Sequence, residues 1–323
     1  MRIVAADIGG THARFALAEL TPGARPQLGE MRKYRTRDYP GLAEAWARFA
    51  RDSHAPLPRA AALAVAAPIE GEVLTFMNSA WRLDRRGLKD DLGVDKLTLL
   101  NDFGAVAHTI SVTPADEFVA LAGPGALPEH AITSVIGPGT GLGVSLLDRR
   151  AEAKGGAVSV IETEAAHIGF SPLDPEEEEL ADFLIARYGR ASVERVVSGP
   201  GLIDIYQFLG GGAAPEVNQA GLLWDAAISG ADPQAERALS ILVRCFGTAA
   251  GDIALAHGAM GVAITGGLAN RIRHLLQGPA FEARFTAKGR YRERMQRTPV
   301  RLLTHEEPGL LGAAIAFQRE SGA

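Results

Sequence analysis

Two glycine-threonine segments, each set between two apolar runs, constrain the fold of this chain more than any other feature. They are Gly9-Gly10-Thr11-His12 and the loop from Gly137 to Gly143. The apolar runs beside them are Arg2–Ile8 and Ala13–Leu20 for the first segment, and Ile132–Ile136 and Val144–Leu147 for the second. A glycine turn between two such runs is typical of a β-hairpin. Since both places follow the same plan, we expect two related halves, each of which presents a glycine hairpin to a shared cleft.

Predicted strands and amphipathic helices alternate along the rest of the chain. Residues 39–52 show the 3.6-residue period of a helix, with one apolar face formed by Leu42, Ala45, Trp46 and Phe49. The further predicted strands are Glu30–Thr36, Ala60–Ala67, Val73–Phe76, Leu97–Asn101 and Val300–Thr304. The further predicted helices are residues 175–188, capped by Asp174, and Gly201–Leu209, Pro233–His257 and Pro308–Gln318. This alternation predicts the α/β class.

The length and charge of the chain limit its organisation and its partners. A chain of 323 residues is longer than one compact core usually holds, so we expect two domains. Hydrophobic residues make up 47% and charged residues 22%, which is typical of a folded globular protein. The net charge of −5 provides no overall positive field, so neither nucleic acid nor a membrane surface is an expected partner.

Three features favour a cytoplasmic protein. Cys245 is the single cysteine, which excludes an internal disulfide, fits a reducing compartment and is expected in the core. Asp7 interrupts the first apolar run and so disfavours a signal peptide. The uncharged run from residue 253 to 270 is broken by four glycines, which makes it a poor membrane span.

The glycine segments do not match the common nucleotide-binding signatures. Leu142 stands where a G-x-G-x-x-G motif needs its third glycine, and the chain has no Gly-Lys pair for a P-loop. The backbone N–H groups and threonine hydroxyls of the two hairpins could nevertheless hold phosphate oxygens, because glycine lets the backbone approach an anion closely. A tight turn without a ligand is the alternative for either segment taken alone.

Asp7 lies at the end of the first predicted strand, beside the first glycine segment. Phosphate would repel this carboxylate unless a divalent cation lay between them, so its position indicates Mg²⁺. The alternative is that Asp7 only stabilises the turn by accepting hydrogen bonds from backbone N–H groups.

Two further polar groups are candidates for binding or chemistry. Asn101 and Asp102 end a predicted strand, at the edge of an α/β sheet where ligands usually bind, and Asp102 could act there as a base or merely cap a helix. Glu164 and His167 have an i, i+3 spacing, but no second such pair exists to complete a metal site in a helical bundle. They could instead bind a polar small molecule, or form a buried structural pair.

Taken together, these segments resemble the bacterial glucokinase family, within the superfamily of hexokinases, heat-shock ATPases and actin. The resemblance covers nearly the whole chain and depends on the order of the motifs. These are Asp7-Ile8-Gly9-Gly10-Thr11-His12-Ala13-Arg14, Ala67-Pro68-Ile69, Asn78-Ser79-Ala80-Trp81, Asn101-Asp102-Phe103, residues 137–143, Glu164-Ala165-Ala166-His167, Ser192-Val193-Glu194-Arg195-Val196, Ser198-Gly199-Pro200-Gly201, Thr265-Gly266-Gly267 and Pro308-Gly309-Leu310-Leu311-Gly312.

The resemblance implies an α/β fold of two ribonuclease-H-like domains, as in actin and hexokinase, with the active site in a cleft between them. The expected domains are residues 1–110 together with 303–323, and residues 111–302. The C-terminal helix would thus return to the first domain. The resemblance also implies a homodimer.

The implied activity is the phosphorylation of D-glucose to glucose 6-phosphate by Mg-ATP, a step of glycolysis. Asp102 would be the catalytic base, and Asp7 would face Mg²⁺, through water. The residues expected to bind the sugar are Asn78, Asn101, Asp102, Glu164, His167 and Glu194. Those expected to bind the nucleotide are Asp7, Gly9, Gly10, Thr11, Gly139 and Thr140 at the phosphates and Gly266 and Gly267 at the adenosine.

The chain departs from its relatives in two places. Ala165-Ala166 stands where related glucokinases often have Gly-Gly, which could change sugar preference slightly. No cysteine cluster follows His167, so no structural zinc is expected.

Three other functions are alternatives to a glucokinase. They are a kinase of another hexose or amino sugar, a sugar-responsive regulator and a heat-shock-type ATPase. The last two are disfavoured because the chain has no segment for a helix-turn-helix before the first strand and none for a protein client after the last helix.

Overall fold

The computed structural model describes residues 1–76, 79–210 and 220–322. Its strands are β1 (Arg2–Ile8), β2 (His12–Glu19), β3 (Gln27–Leu28), β4 (Arg32–Arg35), β5 (Ala60–Val65), β6 (Val73–Thr75), β7 (Arg82–Asp84), β8 (Lys96–Asn101), β9 (Phe118–Ala122), β10 (Ile132–Pro138), β11 (Leu142–Asp148), β12 (Ser159–Thr163), β13 (Gly261–Ile264) and β14 (Val300–Leu303). Its α-helices are α1 (Leu42–Asp52), α2 (Leu88–Leu92), α3 (Asp102–Ile110), α4 (Pro175–Tyr188), α5 (Val193–Val196), α6 (Gly199–Phe208), α7 (Ala220–Ser229), α8 (Pro233–Ala256), α9 (Gly267–Arg271), α10 (Arg273–Leu276), α11 (Pro279–Thr286), α12 (Arg292–Arg297) and α13 (Pro308–Ser321).

The chain divides into two compact units. Unit 1 comprises Met1–Thr113 and His305–Ala323, and unit 2 comprises Pro114–Thr304. The first boundary follows residue 113, where residue 110 was expected from the sequence. The second follows residue 304, where residue 302 was expected.

Unit 1 is built on a sheet with the strand order β3-β2-β1-β5-β8, in which β4 also pairs with β2. The hairpin strands β1 and β2 are antiparallel, whereas β1, β5 and β8 run parallel. Because side chains alternate across a strand, β1 contributes to both faces of the sheet. Ile3 and Ala5 pack with α13, while Val4 and Ala6 pack with α1.

The predicted apolar face of α1 is confirmed. Leu42, Ala45, Trp46 and Phe49 are its buried residues. On the other face of the sheet, α13 packs closely on α3, since a Cβ on Gly312 would lie 1.7 Å from the carbonyl oxygen of Ala105. Only a glycine allows this approach.

Unit 2 repeats the plan of unit 1, with the strand order β12-β11-β10-β13-β14-β9. Its antiparallel hairpin strands β10 and β11 again lie next to parallel strands, β13 and β14. The helix α8 forms the centre of its core and contains Cys245, which is buried as expected. In length and composition α8 could cross a membrane, but 78% of its most apolar window is buried in the protein.

Most of the predicted elements are present, with small changes at their ends. The third predicted strand is shorter, Arg32–Arg35, and the helix expected from Gly201 begins at Gly199, where Ser198 caps it through the N–H of Gly201. The cap of α4 by Asp174 is confirmed, since its side chain accepts from the N–H of Glu177. The strands β3, β7, β9 and β12 were not predicted.

His108, in α3, makes the stability of unit 1 sensitive to acid. Its Nδ1 lies 2.9 Å from Nη1 of Arg319, so the imidazole must be neutral to accept this hydrogen bond. Burial, together with the nearby Arg319 charge, lowers the pKa of His108 from 6.5 to about 4. Between these two pH values the unfolded chain binds a proton that the folded protein does not, so folding stability is lost as the pH falls through this window.

We therefore expect acid to destabilise the wild type more than the His108→Gln variant. Glutamine keeps an oxygen that can accept from Arg319 but does not titrate. Between pH 7 and pH 5 the wild type should lose about 2 kcal/mol more of its free energy of unfolding than the variant does. Urea unfolding of both proteins at both pH values measures this difference, and equal losses would contradict the assignment. The other titrating groups contribute equally to the loss of unfolding free energy in both proteins, so their contributions cancel in the difference.

Candidate active site

The first glycine hairpin joins β1 to β2 and is shaped by hydrogen bonds to its own backbone. The N–H of Gly9 donates to the carbonyl of His12 at 2.9 Å, which closes the turn. Thr36 holds the turn from outside, because its hydroxyl donates to the Gly10 carbonyl at 2.6 Å and its N–H donates to the Thr11 carbonyl at 3.1 Å. Because these hydrogen bonds hold the carbonyl groups of Gly10, Thr11 and His12, the hairpin has a defined shape before any ligand binds.

Asp7 lies near the end of β1 and directly opposite Arg14 in the β1–β2 register. The Arg14 Nη1 is 3.3 Å from Asp7 Oδ2, and the Arg14 Nε is 3.2 Å from Oε2 of Glu307. Burial raises the pKa of Asp7, and the ion pair with Arg14 opposes that rise. Burial likewise raises the pKa of Glu307, again opposed by Arg14. The guanidinium therefore stabilises two largely buried carboxylates in their charged form.

Gly309, in the first turn of α13, limits the position of the Asp7 side chain. A Cβ there would lie 3.0 Å from Cγ and 3.1 Å from Oδ2 of Asp7. This contact explains the glycine at position 309 of the motif Pro308-Gly309-Leu310-Leu311-Gly312, since a larger residue there would displace the Asp7 carboxylate. One fixed carboxylate beside a glycine hairpin fits Mg²⁺, which usually keeps several waters and is bound by one or two carboxylates together with phosphates.

The second glycine hairpin joins β10 to β11 and is held by groups from the segment 194–199. The N–H of Gly139 donates to the Gly141 carbonyl at 2.7 Å within the turn. The N–H of Gly199 donates to the Gly139 carbonyl at 2.7 Å, and Oε2 of Glu194 accepts from the N–H of Leu142 at 2.9 Å. Gly139 and Thr140, at the tip, are exposed.

Gly266 lies beside this second hairpin, at the end of β13. Its φ of +100° is one that other residues rarely adopt, and a Cβ would lie 3.1 Å from the Pro138 carbonyl oxygen. Gly267 begins α9 and is exposed. Both residues of the expected adenosine site therefore lie next to the hairpin expected to hold the phosphates.

The structure brings Glu164, His167 and Glu194 together in unit 2. The His167 Nε2 is 3.7 Å from Oε2 of Glu164, and its Nδ1 is 4.0 Å from Oε1 of Glu194. The side chains of Glu164 and His167 are 72% and 51% exposed, which excludes a buried structural pair. We call these three residues the polar cluster. Carboxylates that accept hydrogen bonds around an imidazole suit a ligand rich in hydroxyl groups.

Asn101 and Asp102 lie where β8 ends and α3 begins. The N-cap is Asn101, whose side chain accepts from the N–H groups of Phe103 and Gly104. Asp102 is the first residue of the helix and is half-buried, and its Oδ1 accepts from the N–H of Phe103 at 2.9 Å. The N-cap alternative for Asp102 is therefore wrong, because its neighbour holds that position. Asn78 lies outside the described residues.

Sequence reasoning missed the roles of Arg14, Glu307 and Gly309. Arg14 and Gly309 stand inside recognised motifs, so their positions were known but not their contact with Asp7. Glu307 lies just before such a motif and 293 residues beyond Arg14. No local pattern connects residues so distant along the chain.

The fold of this chain is that of sugar kinases whose structures are solved. It matches a glucokinase from an Antarctic psychrotroph with a TM-score of 0.82 and 29% identity, over 98% of this chain and 99% of that chain. It also matches a ROK family glucokinase from Streptomyces griseus, solved in complex with glucose and AMPPNP, with a TM-score of 0.64 and 18% identity over 99% and 100% of the two chains.

The sequence comparisons identify the family. A family model described as Glucokinase matches residues 4–320. A glucokinase from Zymomonas mobilis is 45% identical, over 98% of each chain. The chain therefore belongs to the glucokinase family, and it is a kinase that phosphorylates glucose.

Proposed function

We propose that the protein transfers the γ-phosphoryl group of ATP to the 6-hydroxyl of D-glucose, with Asp102 as the general base. The observation that carries this proposal is the position of Glu194. Its carboxylate belongs to the polar cluster and also accepts from the Leu142 N–H of the second glycine hairpin. Groups suited to sugar hydroxyls and a loop suited to phosphate are thus joined by one side chain.

The proposed phosphate-binding residues are Gly9, Gly10, Thr11, Gly139 and Thr140. Gly9 and Gly139 use their N–H groups to close their own turns, so they would act by leaving room for the anion. Gly10, Thr11 and Thr140 would supply N–H and hydroxyl donors, as in other anion-binding turns. Gly266 and Gly267 would border the adenosine. The AMPPNP bound to the Streptomyces griseus relative supports ATP as the donor.

Asp7 is the proposed residue for Mg²⁺, through water. A bound Mg²⁺ neutralises charge on the phosphates during transfer. The ion pair with Arg14 and the contact with Gly309 would keep the Asp7 carboxylate charged and in one place.

The proposed sugar-binding residues are Asn78, Asn101, Asp102, Glu164, His167 and Glu194. Asp102 would accept the proton of the 6-hydroxyl as that oxygen attacks the γ-phosphorus, while the bond to the leaving oxygen of ADP breaks. Phosphoryl transfer needs a nucleophile that is oriented correctly, and the first turn of α3, capped by Asn101, provides a rigid support for this base.

We also propose that the protein acts as a homodimer in the cytoplasm, within glycolysis. Cys245, the single cysteine of the chain, is free and buried, which is compatible with a reducing compartment. The homodimer rests on the family resemblance.

ADP release with different sugars tests the proposed substrate. We expect fast release with glucose, much slower release with mannose or N-acetylglucosamine, and almost none without sugar. A preference for another sugar would move the assignment to a kinase of that sugar. Release that no sugar accelerates would contradict the proposed function.

The Asp102→Asn variant tests the proposed base. It keeps the shape of the side chain and removes the charge, so glucose should still bind while kcat falls by about 10²–10⁴-fold. Asp232→Asn is the matched control, because Asp232 caps α8 through the N–H groups of Gln234 and Ala235 and lies outside the proposed site. Its kcat should equal that of the wild type. Near-normal turnover of Asp102→Asn, measured with its melting temperature, would exclude Asp102 as the base.

Removal of divalent cations tests the proposed Mg²⁺. Excess EDTA should lower turnover by at least about 100-fold, because a metal supplies several kcal/mol of charge stabilisation in such reactions. Added Mg²⁺ should restore it. Glucose binding in EDTA is the control and should not change, since the proposed sugar ligands are side chains. Turnover that persists in EDTA would remove Mg²⁺ from the proposal.

A further inference from the structure

The segment from Arg190 to Gly199 contacts both the polar cluster and the second glycine hairpin, and all of these residues lie in unit 2. On the hairpin side, the Glu194 carboxylate accepts from the Leu142 N–H at 2.9 Å, and the Gly199 N–H donates to the Gly139 carbonyl at 2.7 Å. The shape of the hairpin therefore depends on this segment at two points, one on each side of Thr140.

On the cluster side, the same segment is bonded to the backbone that follows His167. The N–H of Val193 donates to the Ile168 carbonyl at 3.0 Å, and the N–H of Phe170 donates to the Ala191 carbonyl at 3.1 Å. Arg190 donates to the carbonyl of His167 itself at 3.2 Å. A continuous set of hydrogen bonds thus connects the loop of His167 with the hairpin, through Glu194.

The position of the Glu194 carboxylate is restricted from two directions. Val193 and Val196, on either side of it in α5, are buried at 4% and 0% exposure and anchor the short helix. A Cβ on Gly141 would lie only 2.5 Å from Oε2 of Glu194. Since a real Cβ cannot approach so closely, any other residue at position 141 would push the carboxylate away from the Leu142 N–H.

We propose that Glu194 is a positioning residue that couples the sugar site to the phosphate-binding hairpin. One oxygen of its carboxylate holds the hairpin through Leu142, while the other, Oε1, faces His167 and is available to a sugar hydroxyl. A bound sugar therefore holds the carboxylate in the place where it supports the hairpin. By thermodynamic linkage, an ordered hairpin favours sugar binding to the same extent. This inference rests on the proposed function.

The Gly141→Ala variant tests the coupling from the hairpin side. Its glucose Kd, measured by calorimetry without nucleotide, should rise by about 10-fold or more, because a displaced carboxylate loses a charge-assisted hydrogen bond to the sugar. Gly139→Ala is the matched control in the same turn, since a Cβ there meets nothing within 4 Å. Its glucose Kd should stay within about twofold of the wild type, because this substitution leaves the contacts of Glu194 unchanged.

The Glu194→Ala variant tests the coupling from the cluster side. Its AMPPNP Kd, measured without glucose, should rise by about 10-fold, because the hairpin loses the carboxylate that accepts from Leu142. His167→Ala is the control: it should weaken glucose binding but leave AMPPNP binding without glucose unchanged. This pair keeps the test decisive if Gly141→Ala does not fold.

Two results would overturn the coupling. They are a wild-type glucose Kd in folded Gly141→Ala, and a wild-type AMPPNP Kd in Glu194→Ala. Either result, obtained while the wild-type protein still phosphorylates glucose, would reject the coupling and leave the proposed function intact. If the wild type phosphorylates no sugar, the proposed function itself fails.

Discussion

Parallel pairing of the central strands is the constraint on which the rest of this structure depends. In unit 1, Ile8 pairs with Val65 and Val65 with Asn101, so three strands end at one edge of the sheet. In unit 2, Ile136 pairs with Ile264 in the same way. Ligands of open α/β sheets bind outside the carboxyl ends of the strands. This register places Asp7 and Asp102 at that edge of the sheet in unit 1, and it places Gly266 at the corresponding edge in unit 2. A shift of one residue in the pairing of β1 with β5 would point the side chain of Asp7 to the opposite face of the sheet.

Much of this arrangement could be predicted from the sequence, because the signals are local. The glycine hairpins, the apolar face of α1 and the cap at Asp174 each depend on residues within a few positions of one another, and all were predicted correctly. The family motifs also identified the polar residues later found in one cluster. The sequence could not show whether Asn101 or Asp102 caps α3, because both side chains can accept from a backbone N–H. The choice depends on the backbone angles where β8 ends, which are extended at Asn101.

Contacts between distant parts of the chain account for what was missed. Glu177 follows the predicted cap Asp174 by three residues, and its carboxylate is fully buried. It pairs with Arg284 at 2.8 Å and accepts from the N–H of Leu173. Arg14 similarly links Asp7 to Glu307. A charged residue can be buried only with such a partner, and the partner is chosen by the tertiary fold. The sequence shows the charges but not their pairing.

The helix α13 has a consequence for how the protein is made. Unit 2 is one continuous stretch of chain, whereas the sheet of unit 1 is covered on one face by a helix that begins at Pro308. During synthesis, at about 5–20 residues per second, the first part of unit 1 must wait on the order of 10–40 s before α13 exists. For that time the apolar face formed by Ile3, Ala5 and Ala62 has no cover from its own helix. We expect chaperones or the ribosome surface to shield this face until then, whereas unit 2 is complete along the chain before α13 begins.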